Sequence, residues 1–480
     1  MKYHLITLGC QMNKSDSERV RTVLDDMGFL WTDDEKDADV LGILACSVRQ
    51  KAIDRVYSRI HRWNQWKDDH NLLTFVTGCV LPEDRIKFLK LFDFVFTMNE
   101  LPNFPDMVKQ YGVVSPHAIG TGDVDDTPKG AVATEPPAAL ASGSTVISLD
   151  ALVKKPDTVE REVMADLWKV DATPDSDFAA FVPIQNGCDK FCTFCAVPYT
   201  RGREVSRKSE QILAEVERLI KRGYRSITLL GQNVNSYGLD RPDTEMSFAQ
   251  LLSNIGQMAR LAEKPFWVYY TSPHPRDMTR DVIEAMAEYP CIGRQVHLPL
   301  QSGDDRVLLR MNRQHSMKAY RQSVEIIRDL IPDATLFTDI IVGFTGETEA
   351  QFANTLKAID EFRFNMIFVA KYSPRPGAAS SRWKDDVPHD IKSERLQRVN
   401  DLAIKYSTEW NQRMVGQVYP VLITGVDRKK ENMAGLTEGR VNVRIPGVHR
   451  DLIGTCVDVK VAEAVSFCVM GERVGVPVTA

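Results

Sequence analysis

The feature that most constrains this chain of 480 residues is a tight group of three cysteines near its middle. Cys188, Cys192 and Cys195 follow a short apolar run and precede a charged stretch with helical periodicity. This pattern predicts that they lie on a loop leaving the end of a strand. Zinc sites usually pair Cys-x2-Cys with a second pair downstream, but the next cysteine is Cys291. Three thiolates suit a 4Fe-4S cluster with one open iron, and the alternative is three unrelated buried thiols.

A second set of three cysteines is dispersed through the first 110 residues. The apolar runs Tyr3–Cys10, Asp39–Cys46 and Leu72–Cys79 each end on a cysteine, and each is followed by a helical pattern. With Phe94–Thr97, these runs predict a small doubly wound α/β domain with a parallel sheet. Because the carboxyl ends of parallel strands converge on one crevice, Cys10, Cys46 and Cys79 are expected to meet there. The alternative is that all three are ordinary small core residues.

The centre of the chain, residues 179–410, repeats a strand–helix unit six times. Such repetition predicts a partial parallel (β/α)6 barrel with its site at the carboxyl ends of the strands. Polar segments, four of them with glycine, follow five of the runs, although each of them alone is also a common turn sequence. The six strand-type runs are Phe181–Gln185, Ser226–Leu230, Phe266–Tyr270, Gln295–Leu300, Thr335–Val342 and Met366–Tyr372.

Charge and composition divide the remainder of the chain. Residues 111–180 carry 5 Lys and Arg against 12 Asp and Glu, so the rest is mildly positive although the total is −5. This distribution is compatible with a nucleic-acid partner without requiring one. We expect an acidic low-complexity linker over 111–178. A basic helix is predicted over 391–414. Short alternating runs predict a small antiparallel β domain over 411–478, with strands at Val418–Ile423, Val441–Ile445 and Cys456–Val461.

The N-terminus is typical of a strand rather than a signal peptide, and no apolar run approaches the roughly 18 residues of a membrane span. The protein is therefore predicted to be cytoplasmic and not bound to a membrane. In a reducing compartment, nine cysteines are more often ligands or catalysts than disulfides.

The motifs together resemble one family. Cys-x3-Cys-x2-Cys after a strand resembles the radical-SAM signature, and Val197-Pro-Tyr-Thr-Arg-Gly-Arg resembles the tRNA methylthiotransferases. Gly9-Cys10-Gln-Met-Asn and Cys46-Ser-Val-Arg-Gln are similar to that family's N-terminal domain. Met433-Ala-Gly-Leu-Thr-Glu-Gly-Arg resembles the RNA-binding TRAM domain. Two departures, Leu44-Ala45 and Leu81-Pro82, lie beside cysteines and concern the surroundings of the ligands.

The resemblance implies a chemistry. It implies two 4Fe-4S clusters and S-adenosylmethionine (SAM), with Cys188, Cys192 and Cys195 also catalytic. It further implies addition of a 2-methylthio group to isopentenyladenosine beside the tRNA anticodon, in a chain that is expected to be a monomer. The partners would be the anticodon stem-loop and an electron donor such as a flavodoxin or ferredoxin. Expected contacts to SAM or substrate are Phe194, Gly231, Gln232, Asn233, Gln301 and Asp339, and expected RNA contacts are Arg201, Arg428, Lys429, Lys430, Arg440 and Arg444.

Two other kinds of function stay open at this stage. Relatives within the superfamily modify threonylcarbamoyladenosine in tRNA or an aspartate of a ribosomal protein. From a different class, the chain is also compatible with a non-catalytic iron–sulfur or zinc-stabilised RNA-binding protein.

Overall fold

The structure, a computed structural model, describes residues 1–48, 50–67, 71–111, 164–260 and 262–475. The first domain is a five-stranded parallel sheet in the order β2-β1-β3-β4-β5 with helices on both faces, which confirms the predicted class. Its elements are β1 Lys2–Thr7, α1 Gln11–Asp26, β2 Leu30–Trp31, β3 Val40–Cys46, α2 Gln50–Trp66, β4 Leu73–Cys79, α3 Pro82–Phe88, β5 Phe94–Val95 and α4 Phe104–Gln110.

Most of the predicted linker, residues 112–163, lies outside the described residues. Its last part, from Met164 to Phe178, is packed on the first domain. Leu167 and Trp168 are buried with Met164 in that domain's core, and Asp175 forms an ion pair with Arg21 of α1. This end of the predicted linker is therefore packed against folded protein, because these apolar side chains supply the buried surface that the acidic part lacks. The bounds 111–178 stay a prediction.

The central domain contains six parallel strands in sequential order. They form two three-stranded sheets, β10-β9-β6 and β11-β12-β13, joined by a bridge between Val268 and Ile292. The sheet does not close between β6 and β13, which are its two edges, so the predicted partial barrel is confirmed. Its elements are β6 Ala179–Pro183, β7 Gln185–Asn186, α5 Val197–Arg201, β8 Val205–Ser206, α6 Ser209–Lys221, β9 Ser226–Leu230, α7 Phe248–Ala259, β10 Trp267–Tyr270, α8 Arg280–Glu288, β11 Gln295–His297, α9 Asp305–Arg310, α10 Met317–Leu330, β12 Thr335–Val342, α11 Glu349–Phe362, β13 Met366–Lys371 and α12 His389–Met414.

The C-terminal domain is a closed five-stranded barrel in the order β14-β15-β16-β18-β17. All of its pairings are antiparallel except the one between β16 and β18. The sequence predicted β14, β16 and β17, and it missed β15 and β18. The strands are β14 Val418–Val426, β15 Asn432–Thr437, β16 Asn442–Pro446, β17 Cys456–Val465 and β18 Cys468–Arg473.

The turn between β15 and β16 closes the amino-terminal end of the central barrel. Arg440 places its guanidinium 3.9 Å from the centre of the Tyr269 ring and donates a hydrogen bond to Thr228 at 3.1 Å. The Tyr269 hydroxyl in turn donates to the carbonyl of Glu438, and Thr335 donates to the carbonyl of Gly439 at 2.6 Å. Burial lowers the pKa of Arg440, and its guanidinium is held inside the protein. The guanidinium of Arg440 is thus already engaged within the protein, and RNA contact by Arg440 stays a prediction.

Among the described residues, no helix combines the length and the apolar character that crossing a membrane requires.

Replacing Arg440 by Met tests whether the two barrels are held together by this contact. The change removes a hydrogen bond and a cation–π contact, and should lower the free energy of unfolding by about 2 kcal/mol. Scanning calorimetry should show an earlier transition for Arg440→Met. Arg444→Met, an exposed change on the same hairpin, should leave the transition within a degree or so of its original temperature. Equal unfolding temperatures of the two variants would show that the Arg440 contact does not hold the two barrels together.

Candidate functional site

The dispersed cysteines meet at one edge of the first sheet. Cys46 and Cys79 are the last residues of β3 and β4 and lie directly opposite each other in the parallel pairing. Cys10 caps the amino-terminal end of α1, immediately after β1, which pairs with β3. Cys46 and Cys79 are buried and Cys10 is exposed. The predicted convergence therefore exists, with one thiol open to the space above the sheet.

The turns that carry these cysteines are packed tightly against one another. Gly9 has a φ of +115°, and a Cβ there would stand 2.8 Å from Cβ of Cys46. Gly78 has a φ of +96°, and a Cβ there would stand 2.9 Å from the carbonyl oxygen of Ala45. Asn13 donates to the carbonyls of Leu8 and Ala45 at 2.6 and 2.7 Å, which ties the first turn to the end of β3. Glycine is therefore required at both turns.

The three clustered cysteines lie on the loop that follows β6 and β7. The backbone N–H of Cys188 donates to Gly202, and that of Cys195 donates to Cys192. The Arg313 guanidinium donates to the Cys192 sulfur at 3.4 Å. Burial raises the pKa of the Cys188 thiol, and burial together with Cys192 raises that of Cys195 to about 12. Without a bound cation the Cys188 and Cys195 thiols are therefore protonated at neutral pH.

The short helix α5 continues directly from this loop and reaches the other cysteine set. The thiol of Cys79 donates to the Thr200 hydroxyl at 3.0 Å. Arg201 donates to the side-chain oxygens of Asp16 at 2.6 Å, Asn13 at 2.8 Å and Asn186 at 3.2 Å. Burial raises the pKa of Cys79, and the Arg201 charge opposes that rise. The two cysteine sets are therefore joined by two consecutive residues of one helix.

Arg201 is therefore not a surface residue. Its side chain is 7% exposed, and its ion-pair partner Asp16 is 6% exposed. The protein already satisfies this guanidinium, and RNA contact by Arg201 stays a prediction. The exposed residues Arg428, Lys429, Lys430 and Arg444 lie on the C-terminal barrel, and RNA contact by them stays a prediction.

The polar segment after β9 is fastened to the cysteine loop. The side-chain oxygen of Gln232 accepts a hydrogen bond from Gly187 at 2.5 Å. Asn233 donates to Asp277, which forms a buried ion pair with Lys190 between the first two clustered cysteines. A Cβ at Gly231 would stand 2.7 Å from the side-chain oxygen of Gln185, so that this glycine allows a close approach.

The remaining predicted contacts to SAM or substrate are Gln301, Asp339 and Phe194. Gln301 follows β11, and Asp339 lies on β12. Gln301 has a φ of +71°, in the left-handed region, and its backbone N–H donates to the carbonyl of Asp339. The Asp339 carboxylate lies 2.6 Å from Nε2 of His297. Phe194 packs edge-on to Phe344 at 6.5 Å and is partly exposed. The left-handed backbone of Gln301 is strained for a residue other than glycine, and such backbone strain is concentrated at functional sites.

The donor sets match the predicted cofactors. Within the described ranges, no three His, Cys, Asp or Glu side chains converge closely enough to hold a single metal ion. A mononuclear zinc site needs such a group, whereas in a 4Fe-4S cluster each thiolate binds a different iron. The side-chain oxygens of Gln185 and Asn233 are buried without a hydrogen-bond partner in the described part of the chain. They are free acceptors beside Gly231, where an ammonium group such as that of SAM needs them.

Three known protein families match consecutive parts of the chain. The uncharacterized protein family UPF0004 matches residues 2–98, the Radical SAM superfamily matches residues 182–359, and the TRAM domain matches residues 412–474. The curated tRNA-2-methylthio-N(6)-dimethylallyladenosine synthase of Geobacter metallireducens is 36% identical, over 98% of this chain and 97% of that protein. The protein of that name from Carboxydothermus hydrogenoformans is also 36% identical, over 98% and 99%.

A solved structure shows the same fold. The radical S-adenosylmethionine methyltransferase TsrM from Kitasatospora setae, with cobalamin and a [4Fe-4S] cluster bound, superposes with a TM-score of 0.51. The superposition covers 79% of this chain and 73% of that one, at 13% sequence identity.

Replacing Arg201 by Met tests the link between the two cysteine sets. The change leaves the Asp16 carboxylate buried without its cation, which costs roughly 3–5 kcal/mol. We expect faster hydrogen exchange in the metal-free protein at the first turn of α1 and around Cys79, together with a lower unfolding temperature.

Two further variants serve as controls for Arg201. The double variant Asp16→Asn/Arg201→Met removes both charges and should recover much of the lost stability. Arg203→Met removes a guanidinium that pairs with Asp189 on its own loop, and should leave exchange in α1 unchanged. Unchanged exchange in Arg201→Met would show that the ion pair does not hold the two sets together.

Proposed function

The chain belongs to the family of radical SAM tRNA methylthiotransferases, and from that premise we propose how its residues add a 2-methylthio group to isopentenyladenosine in tRNA. The observation that carries the proposal is the pair of cysteine sets joined by α5 at the mouth of the barrel. A chemistry that removes a hydrogen and inserts sulfur at the same carbon needs two centres close together. The barrel and the first sheet present their carboxyl-terminal edges to each other in that way.

The Radical SAM family implies one 4Fe-4S cluster and SAM, and we assign them to the barrel. Cys188, Cys192 and Cys195 would hold the cluster, while Gly231, Gln232 and Asn233, with the free oxygen of Gln185, would hold the SAM amino group. A second 4Fe-4S cluster on Cys10, Cys46 and Cys79 is our proposal. When bound, these groups would supply the radical chemistry that removes the hydrogen at carbon-2 of the adenine and the sulfur that replaces it, with the methyl group coming from a second SAM.

The residues of this chain supply position and shielding. Arg313 donates to the Cys192 sulfur and so fixes the position of that side chain in the loop. Lys190, Asp277 and Asn233 lock the cysteine loop against the neighbouring strand end, so that the site is preorganised. Burial of Cys46 and Cys79 excludes water from the second site, while the exposed Cys10 faces the side from which a substrate arrives.

Several finer features are part of the proposal. The tRNA contact is the anticodon stem-loop, held by Arg428, Lys429, Lys430 and Arg444 of the TRAM barrel. The target base leaves its stack to enter the central barrel. An acidic flavodoxin or ferredoxin delivers the electron, and the enzyme acts as a monomer in the cytoplasm. The boundaries 1–110, 111–178, 179–410 and 411–478 stand as our division of the chain.

Anaerobic reconstitution of three proteins tests the assignment of both sites. The natural chain should bind about eight irons, and the variants Cys10→Ala/Cys46→Ala/Cys79→Ala and Cys188→Ala/Cys192→Ala/Cys195→Ala about four each. With a chemical reductant, only the second variant should fail to cleave SAM. Neither variant should form the methylthio product on a stem-loop that contains isopentenyladenosine.

Three results would contradict the proposal. Stoichiometric zinc in place of iron would exclude both clusters. Full product formation by the Cys10, Cys46 and Cys79 variant would exclude sulfur insertion at that site. Unchanged methylthio-isopentenyladenosine in the tRNA of a deletion strain, read by mass spectrometry, would show that another protein performs the reaction.

A further inference from the structure

The inner surface of the central barrel carries an exposed aromatic ring next to a histidine–aspartate pair. Val296, Leu336 and Ile367 are buried in the core between the sheet and its helices. Because side chains alternate along a strand, their neighbours His297, Phe337 and Phe368 face the lumen of the barrel. The Phe368 side chain is 49% exposed there, which is unusual for a large apolar group inside a domain.

These lumen residues are direct neighbours across the strands. Phe337 pairs with His297 on β11, and Asp339 pairs with Phe368 on β13. The ring of Phe368 lies 5.6 Å from the imidazole of His297 and 6.4 Å from the ring of Phe337. The Asp339 carboxylate, 36% exposed, lies 2.6 Å from Nε2 of His297. We call these four residues, His297, Phe337, Asp339 and Phe368, the lumen pocket.

We propose that the lumen pocket binds the N6-substituted adenine of the target nucleotide and selects its isopentenyl group. This inference rests on the proposed function. The pocket lies on β13, at the open edge of the barrel, where a base turned out of an RNA loop has access. Phe368 stands three residues before the end of β13, so that the pocket is deeper than the loops that carry Cys188 and Gly231.

The chemistry of the pocket matches each part of that base. The exposed face of Phe368 offers stacking to the purine and apolar contact to the isopentenyl carbons. In the neutral tautomer whose Nε2–H donates to Asp339, Nδ1 of His297 is left as an acceptor. Isopentenyladenosine retains one hydrogen on N6, and this N6–H can donate to Nδ1 of His297. Stacking and a single directed hydrogen bond therefore fix the base in the lumen.

The same residues disfavour a threonylcarbamoyl group. That substituent ends in a carboxylate, which would face the exposed carboxylate of Asp339 and the ring of Phe368. Bringing two like charges together in a partly dry lumen is unfavourable, and the four residues of the pocket include no lysine or arginine to compensate it, while His297 is already paired with Asp339. The pocket thus separates the two kinds of modified adenosine by attraction to one and repulsion of the other.

Binding measurements on the reconstituted full chain test the pocket. The probes are anticodon stem-loops that carry isopentenyladenosine, adenosine or threonylcarbamoyladenosine, and the readout is fluorescence anisotropy without reductant. We expect Phe368→Ala to weaken binding of the isopentenyl stem-loop roughly tenfold and that of the adenosine stem-loop much less. Phe368→Tyr should restore the preference. Leu309→Ala, a change at a side chain that is 81% exposed on α9, is the matched control.

Asp339→Asn separates repulsion from stacking. The change should improve binding of the threonylcarbamoyl stem-loop and leave the Phe368-dependent preference in place. If Phe368→Ala lowers 5′-deoxyadenosine formation without RNA, the ring serves SAM and the proposal is wrong. An unaltered preference in Phe368→Ala also overturns it. If the natural chain makes no methylthio product, the proposed function fails instead, so the two failures are distinguishable.

Discussion

The buried ion pair between Arg201 and Asp16 is the constraint on which the arrangement of the site depends. A buried charge without its partner costs several kcal/mol of stability, about 3–5 for a broken pair. The pair therefore holds α5 and α1 in one relative orientation. That orientation places Thr200 against the thiol of Cys79 and Arg201 against the turn that carries Cys10. The two halves of the site are aligned by side chains that contact neither cofactor nor substrate in any proposed step.

The two cysteine sets are assembled by different physical means. One set needs only a loop, since its members lie within eight residues of each other in the chain. The other depends on the parallel pairing of β1, β3 and β4, and on glycines whose missing side chains let the turns approach. A substitution far away in the first sheet therefore affects the second set much more than the first, because the pairing register sets where Cys46 and Cys79 face each other.

The sequence predicted what local patterns encode. Alternation and apolar runs located all six barrel strands, two of them with the bounds that the structure has, Ser226–Leu230 and Thr335–Val342. β15 and β18 were missed because each contains an interior glycine and gains its stability from partners distant in the chain. Arg201 and Arg440 were predicted as RNA contacts, and their partners within the protein were not predicted, because a positive charge in a motif carries no information about its partner. Of the lumen pocket only Asp339 was predicted, since only the curvature of the sheet brings three strands around one space.

The docking of the β15–β16 turn into the central barrel has a mechanical consequence. The basic turn of the TRAM barrel consists of Arg428, Lys429 and Lys430. Packed protein, not a flexible hinge, separates this turn from the lumen of the central barrel, because Arg440 and Glu438 anchor the β15–β16 hairpin to Tyr269. The distance between them is therefore fixed. An RNA bound at the basic turn, as proposed, would place in the lumen only the nucleotide that lies at the matching distance along its stem.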